Sequence, residues 1–120
     1  MHSRTFTATA ILAIAAAAAP AAARDYEIGY PKNSLAYRAL VQNDLAKAET
    51  QLRRDARVSQ DDPAKLINLG QVLAQTGRAA EAERMFQAAM SADEVDLILA
   101  DGRTINSRDA ARRALYALNR

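Results

Sequence analysis

From Ser34 onward, apolar residues recur every three or four positions, and short polar stretches interrupt them. The first segment, SLAYRALVQN (34–43), places Leu35, Ala39 and Leu40 on one face, with Ser34 as the expected N-cap. The second, DLAKAETQLRRDARV (44–58), starts at Asp44, a second capping residue. It lines up Leu45, Ala48, Leu52 and Ala56. The turn SQDDP then offers Asp62 as a cap and Pro63 as the first residue of a helix. That helix, 64–76, carries Leu66, Leu69, Val72 and Leu73 in one stripe. Gly77 permits a tight reversal. A fourth helix, 78–90, turns Ala79, Ala82, Phe86 and Ala89 inward. Four helices with short connections predict two helical hairpins stacked together.

The pattern then changes. In VDLILADGRTI (95–105) Val95, Leu97 and Leu99 alternate ahead of an Asp101-Gly102 turn signal, which predicts a strand or hairpin. NSRDAARRALYALNR (106–120) returns to helical spacing with Ala110, Ala111, Ala114, Leu115 and Leu118. Ser107 is its expected cap, and Asp109 lies in the positive first turn. The apolar 95–105 segment has two outcomes. It folds back under the terminal helix, which supports an otherwise marginal hairpin. Or it pairs edge to edge with a second copy through Val95, Leu97 and Leu99, giving a homodimer. Local folding is the expected outcome for each chain.

The N-terminus has a different layout. Basic MHSR precedes the apolar run ATAILAIAAAAA (8–19), and Ala21 and Ala23 form a small-x-small site. This is the plan of a secretory signal peptide. A disordered or membrane-anchored N-terminus is the alternative. The run is too short to cross a hydrocarbon core of about 30 Å as a permanent helix. No Cys follows it, so there is no lipid-anchoring thiol. The expected plan is a signal peptide at 1–23, an extended leader at 24–33, two hairpins at 34–94, and a β-like turn segment with a terminal helix at 95–120. The Ala-rich leader and the cleavage site point to a bacterial periplasm, with no stable membrane anchor.

Charge and residue inventory narrow the chemistry. The net charge is +2, and cleavage after Ala23 removes one cation, Arg4. A near-neutral exported chain lacks the dense cationic surface that nucleic-acid binding needs. There is no Cys, and the one His is His2 inside the leader. Thiolate–imidazole and Ser–His catalysis are therefore unavailable after export, as are N/S-ligated metal sites. The acidic pairs in DD (61–62) and DEVD (93–96) lack the spacing and glycine of a calcium loop. Glycines at 29, 70, 77 and 102 are too scattered to cradle a phosphate. The chain is expected to have no catalytic residues, no metal and no cofactor.

The two predicted hairpins superpose at an offset of 34 residues. Ala48-Glu49 meets Ala82-Glu83, Leu35 meets Leu69, Ala36 meets Gly70, Ala39 meets Leu73, and Leu52 meets Phe86. This period and pattern resemble the tetratricopeptide repeat. In the second copy Leu66, Leu69, Gly70 and Leu73 fill the first-helix positions, Gly77 the turn, and Ala82, Phe86 and Ala89 the second helix. Small Gly70 and Ala82 suit a close helix crossing. The first copy departs further: Lys32 stands in the aromatic position, Asn43 replaces the turn glycine, and Asp55 replaces a small residue. The resemblance implies an all-α fold: a fragment of a right-handed α-α superhelix of two stacked hairpins, plus the short β-like segment and a capping C-terminal helix. It also implies a scaffold or adaptor function, holding another protein or peptide in a concave groove. Mapped by position, that groove carries Asn33, Tyr37, Leu40 and Val41 from the first hairpin. The second supplies Ile67, Asn68, Gln71, Ala74 and Gln75. These residues being solvated, or covered by the C-terminal segment, is the alternative. A clamp for a partner's terminal carboxylate matches only at Asn68. The rival function is a self-associating structural subunit of the cell envelope with no separate ligand.

Arg103, Arg108, Arg112, Arg113 and Arg120 form a second feature. They are expected to be the solvated face of the terminal helix, with Asp109 tempering Arg112 and Arg113. An acidic partner or anionic head groups are the alternative.

Overall fold

A computed structural model describes residues 30–98 and 103–120. The expected signal peptide, residues 24–29 of the leader, Leu99 and the Asp101-Gly102 turn lie outside them. Five helices and two strands are present among the described residues: α1 Tyr37–Val41, α2 Leu45–Arg54, α3 Pro63–Gln75, α4 Ala79–Ser91, β1 Asp96–Ile98, β2 Thr104–Asn106 and α5 Ser107–Leu118. The architecture is mostly helical, with one small two-stranded sheet.

Helix α3 is the central element. It packs against α2, α4 and α5, and α5 also lies along α4. Every residue from Pro63 to Leu73 is buried, polar ones included. A one-sided stripe was expected here, but the helix is enclosed on all sides. The reason is visible in its composition: Lys65 is the one charged residue between Pro63 and Gly77, and a helix without a charged face belongs inside. Lys65 itself is 1% exposed. Its ammonium donates to the Asp55 carbonyl at 2.7 Å and the Val58 carbonyl at 2.9 Å. Partners of this kind make a buried charge tolerable.

The start of α3 follows the expectation. Asp62 Oδ1 accepts from the Ala64 and Lys65 amides at 2.9 and 3.1 Å, and Pro63 opens the helix. Asp44 likewise accepts from Lys47 N–H at 3.2 Å to cap α2. Two expected caps are corrected. Ser34 does not cap α1; Ala36 holds that place in a left-handed conformation with no side-chain cap. Consecutive turns, Ser34 N–H to Pro31 O and Ala36 N–H to Asn33 O, shift the helix start to Tyr37. At α5 the cap is Asn106, whose Oδ1 accepts from Arg108 N–H at 2.8 Å. Ser107 instead ties the chain to Val95: its Oγ accepts from Val95 N–H, and its own N–H donates to Val95 O.

Helix α2 ends at Arg54 rather than Val58 because Asp55 is extended. Lys65 gathers the carbonyls of the loop that follows, and Val58 is buried beneath it. Ala56 is therefore exposed in a turn, and Ala79, at the first position of α4, is exposed too. The remaining stripes enter the core: Ala48, Leu52, Val72, Leu73, Ala82, Phe86 and Ala89 are each fully buried. Strands β1 and β2 pair antiparallel, with Asp96 opposite Asn106, Leu97 opposite Ile105 and Ile98 opposite Thr104. Leu97 is 3% exposed and belongs to the common core. The hairpin folds on its own chain, as expected.

The two helical reversals match bond for bond. In the first, Asn43 is left-handed at φ 59; Asp44 N–H donates to Ala39 O, and Asn43 N–H to Leu40 O. Thirty-four residues on, Gly77 is left-handed at φ 85; Arg78 N–H donates to Leu73 O, and Gly77 N–H to Ala74 O. Both are Schellman endings, with a residue in αL and paired 6→1 and 5→2 bonds.

Candidate functional site

The expected groove residues separate into two groups. Leu40, Ile67, Asn68 and Gln71 are buried, so they present no accessible surface. This corrects the expectation of an open groove at those four positions: α3 is enclosed, and residues 30–36 lie against it. Asn33 and Gln75 are exposed, Tyr37 and Ala74 are half-buried, and Val41 is 56% exposed. Asn33 also lines an open concavity of about 340 Å³ with Thr50, Gln51 and residues 54–57.

Helix α3 and the turn before α1 carry buried polar side chains that the hydrophobic pattern did not reveal. Asn68 Nδ2 donates to the Leu35 carbonyl at 3.1 Å. Asn68 Oδ1, Gln71 Oε1 and Ser34 Oγ are all buried without a hydrogen-bond partner. Asn68 and Gln71 are one turn apart on α3 and so share a face. An unmet buried polar group typically costs about 1–3 kcal/mol. The sequence signal was two carboxamides three positions apart in an otherwise apolar helix.

Residues 30–36 are held by the burial of Leu35 and Ala36 in the core and by side-chain hydrogen bonds. Tyr30 donates its hydroxyl to Asp62, 3.1 and 3.2 Å from the two carboxylate oxygens. Burial, followed by the Asp62 carboxylate, pushes the Tyr30 phenol well above its ordinary pKa. Arg57 donates to the Lys32 carbonyl at 2.9 Å, and also pairs with Asp55, whose carboxyl it holds at about 2. Neither Tyr30 nor Arg57 was singled out from the sequence.

A charge network joins the two hairpins on the outside. Arg53 contacts Glu49 at 2.8 Å and Glu81 at 2.8 Å, while Arg78 reaches Glu49 at 2.6 Å. Hydrogen bonds from Arg78 first, then Arg53, lower the Glu49 carboxyl to about 2. All of these side chains are partly solvated, so the network tunes stability modestly.

Val95 and Leu97, the self-association candidates within the described residues, are engaged in their own chain: Val95 is bonded to Ser107, and Leu97 is in the core. Leu99 lies outside the described residues. The arginines divide. Arg108 is not a free solvated side chain: it donates to the Met90 and Ala92 carbonyls at the end of α4 and pairs with Glu94 at 2.6 Å. Arg112 pairs with Asp109 at 2.6 Å, and Arg120 lies over the Tyr116 ring at 5.6 Å. Arg113 is exposed.

Among the described residues, no group of three or more His, Cys, Asp or Glu could hold a metal ion. No helix there is long and apolar enough to cross a membrane. The fold and the site thus define a mostly helical chain around a central, enclosed helix that buries a few polar side chains. Comparisons with family models, curated proteins and solved structures found no match.

Proposed function

We propose that the chain is a tetratricopeptide-like interaction module, exported to the periplasm, which binds a segment of another polypeptide without catalysis or cofactor. The observation that carries this reading is the repeated reversal. Asn43 and Gly77, 34 positions apart, adopt the same handedness and close the same two backbone bonds. Packing follows the same period: Ala48 and Leu52 are fully buried, as are Ala82 and Phe86. Gly70 supports the register as well. A Cβ there would come within 2.5 Å of the Phe86 ring, so the absent side chain admits the aromatic. The accessible margin of the groove is Asn33, Tyr37, Val41, Ala74 and Gln75.

The test is capture from periplasmic extract on the immobilised chain, compared with Val41→Asp and Gln75→Arg. Both substitutions fall on exposed positions and should leave the fold intact. A partner retained by the wild type and lost by both variants supports the reading. Equal capture by all three, or none, overturns it. Light scattering on the same samples addresses the rival: a stable oligomer of the wild type with no retained partner favours a self-associating envelope subunit.

A further inference from the structure

We propose that the open concavity beside the groove receives an acidic side chain of the bound polypeptide, with Arg54 as its anchor; the polypeptide itself rests on the partner-binding reading above. Asn33 ties the two places together. It belongs to the accessible margin of the groove, and it lines the concavity with Thr50, Gln51, Arg54 and Arg57.

Charge selects the ligand. Between residues 30 and 58 the chain carries six cations and three anions; between 59 and 94 it carries three cations and six anions. Each anion of the first stretch is already committed. Asp44 caps α2, Glu49 pairs with Arg53 and Arg78, and Asp55 pairs with Arg57. Lys32, Lys47 and Arg54 are exposed and have no ion pair among the described residues. Of these three, Arg54 lines the concavity. The complement of this side of the molecule is therefore an anion.

The walls select a carboxylate. Arg57 donates to the Lys32 carbonyl at 2.9 Å and to Asp55 Oδ1 at 2.9 Å, so its charge is spent within the fold. The Thr50 hydroxyl donates to the Ala46 carbonyl at 3.1 Å and keeps only its lone pairs. The Arg54 guanidinium and the side-chain amides of Asn33 and Gln51 remain as donors without a partner among the described residues. One guanidinium supplies one positive charge, and its planar fork meets the two oxygens of a carboxylate. Because the concavity is open, it suits a side chain reaching in from a polypeptide that passes over it.

The test is an NMR titration of the full chain with a capped Gly-Glu-Gly tripeptide, at constant ionic strength against sodium chloride. Amide signals of Asn33 and of residues 50–57 should shift and saturate, while a capped Gly-Gln-Gly tripeptide should leave them in place. Arg54→Gln, at an exposed position, should keep the fold and weaken the Glu tripeptide about tenfold, the loss of one charge-assisted pair. Lys47→Gln, on the same helix but outside the concavity, should weaken it by about twofold at most. Equal shifts from both tripeptides, no saturable shift, or an equal loss in Arg54→Gln and Lys47→Gln would overturn the inference. Inorganic phosphate separates the two kinds of anion: tighter binding of phosphate than of the Glu tripeptide at the same signals would overturn the carboxylate assignment. None of these readouts requires the natural partner. A saturable tripeptide site in a chain that captures nothing overturns the partner reading alone. A captured partner held equally by Arg54→Gln, in a chain with no tripeptide site, overturns this inference alone.

Discussion

In the first hairpin α1 runs five residues, Tyr37–Val41; thirty-four positions later α3 runs thirteen, Pro63–Gln75. Yet the two helices finish on the same pair of backbone hydrogen bonds. The difference lies at their starts. Asp62 supplies a carboxylate to two free amides, and Pro63 already has helical φ. The first hairpin has Asn33 and Ala36, both left-handed, where the equivalent turns of helix would lie. A helix end is thus set by one local residue that tolerates αL. A helix start needs a cap and a chain free to wind, and the Tyr30 and Leu35 contacts hold this chain in turns instead.

The largest expected effects test whether both hairpins belong to one cooperative core. Phe86→Ala should cost about 3–5 kcal/mol and Leu52→Ala, its equivalent in the first hairpin, about 2–5 kcal/mol. Urea unfolding measures both. A cost below about 1 kcal/mol for Leu52→Ala would show that the first hairpin is peripheral, breaking the equivalence.

Smaller changes probe the helix crossings. Ala82→Leu should overpack the α3–α4 contact and lower stability by about 1–3 kcal/mol, and Ala48→Leu should do the same in the first hairpin. Each kcal/mol corresponds to roughly 4–8 °C in melting temperature for a domain of this size. An unchanged melting temperature at Ala82 would mean that the repeat register is wrong.

The reversals themselves should respond with opposite signs. Gly77→Ala places a Cβ at φ 85 in open space, so its cost is backbone strain alone, about 1–2 kcal/mol. Asn43→Gly relaxes the same conformation and should stabilise the chain by a few tenths of a kcal/mol, net of the added freedom of the unfolded state. If both substitutions destabilise, Asn43 contributes a side-chain interaction beyond its conformation, and the two turns are not equivalent.

The smallest effect is acid-dependent and concerns the link between the hairpins. The Glu49 carboxyl is lowered from 4.5 to about 2 by Arg78 and Arg53. Because its pKa is depressed on folding, its contribution is present above its unfolded pKa and lost as pH falls through about 2. The difference in melting temperature between wild type and Glu49→Gln should therefore be widest above pH 5 and shrink toward pH 2. A difference constant across that range would mean that the network does not couple to folding.

Much of this molecule is legible from its sequence, and the reason is local. Asp62-Pro63, Gly77 and the apolar spacing of Ala82, Phe86 and Ala89 act within a turn or two of chain, so they mark α3 and α4 in the sequence, while packing holds helices of thirteen residues in place. The alternation around Leu97 and the short span to Ile105 likewise specify a hairpin. Tertiary structure decided which surfaces remain open. Enclosing α3 buried Ile67, Asn68 and Gln71, because its neighbours cover every side of a helix with a single charge. Arg108 was drawn to the end of α4, where free carbonyls outweigh solvent, and Lys65 to the loop after α2 for the same reason. Ser34 lost its capping role because contacts of Tyr30, Lys32 and Leu35 with Asp62, Arg57 and Asn68, each spanning 25 to 33 residues of chain, fix the backbone around it. Spacing reports what a residue does for its own helix; burial and long-range hydrogen bonding depend on partners that only the folded chain brings near.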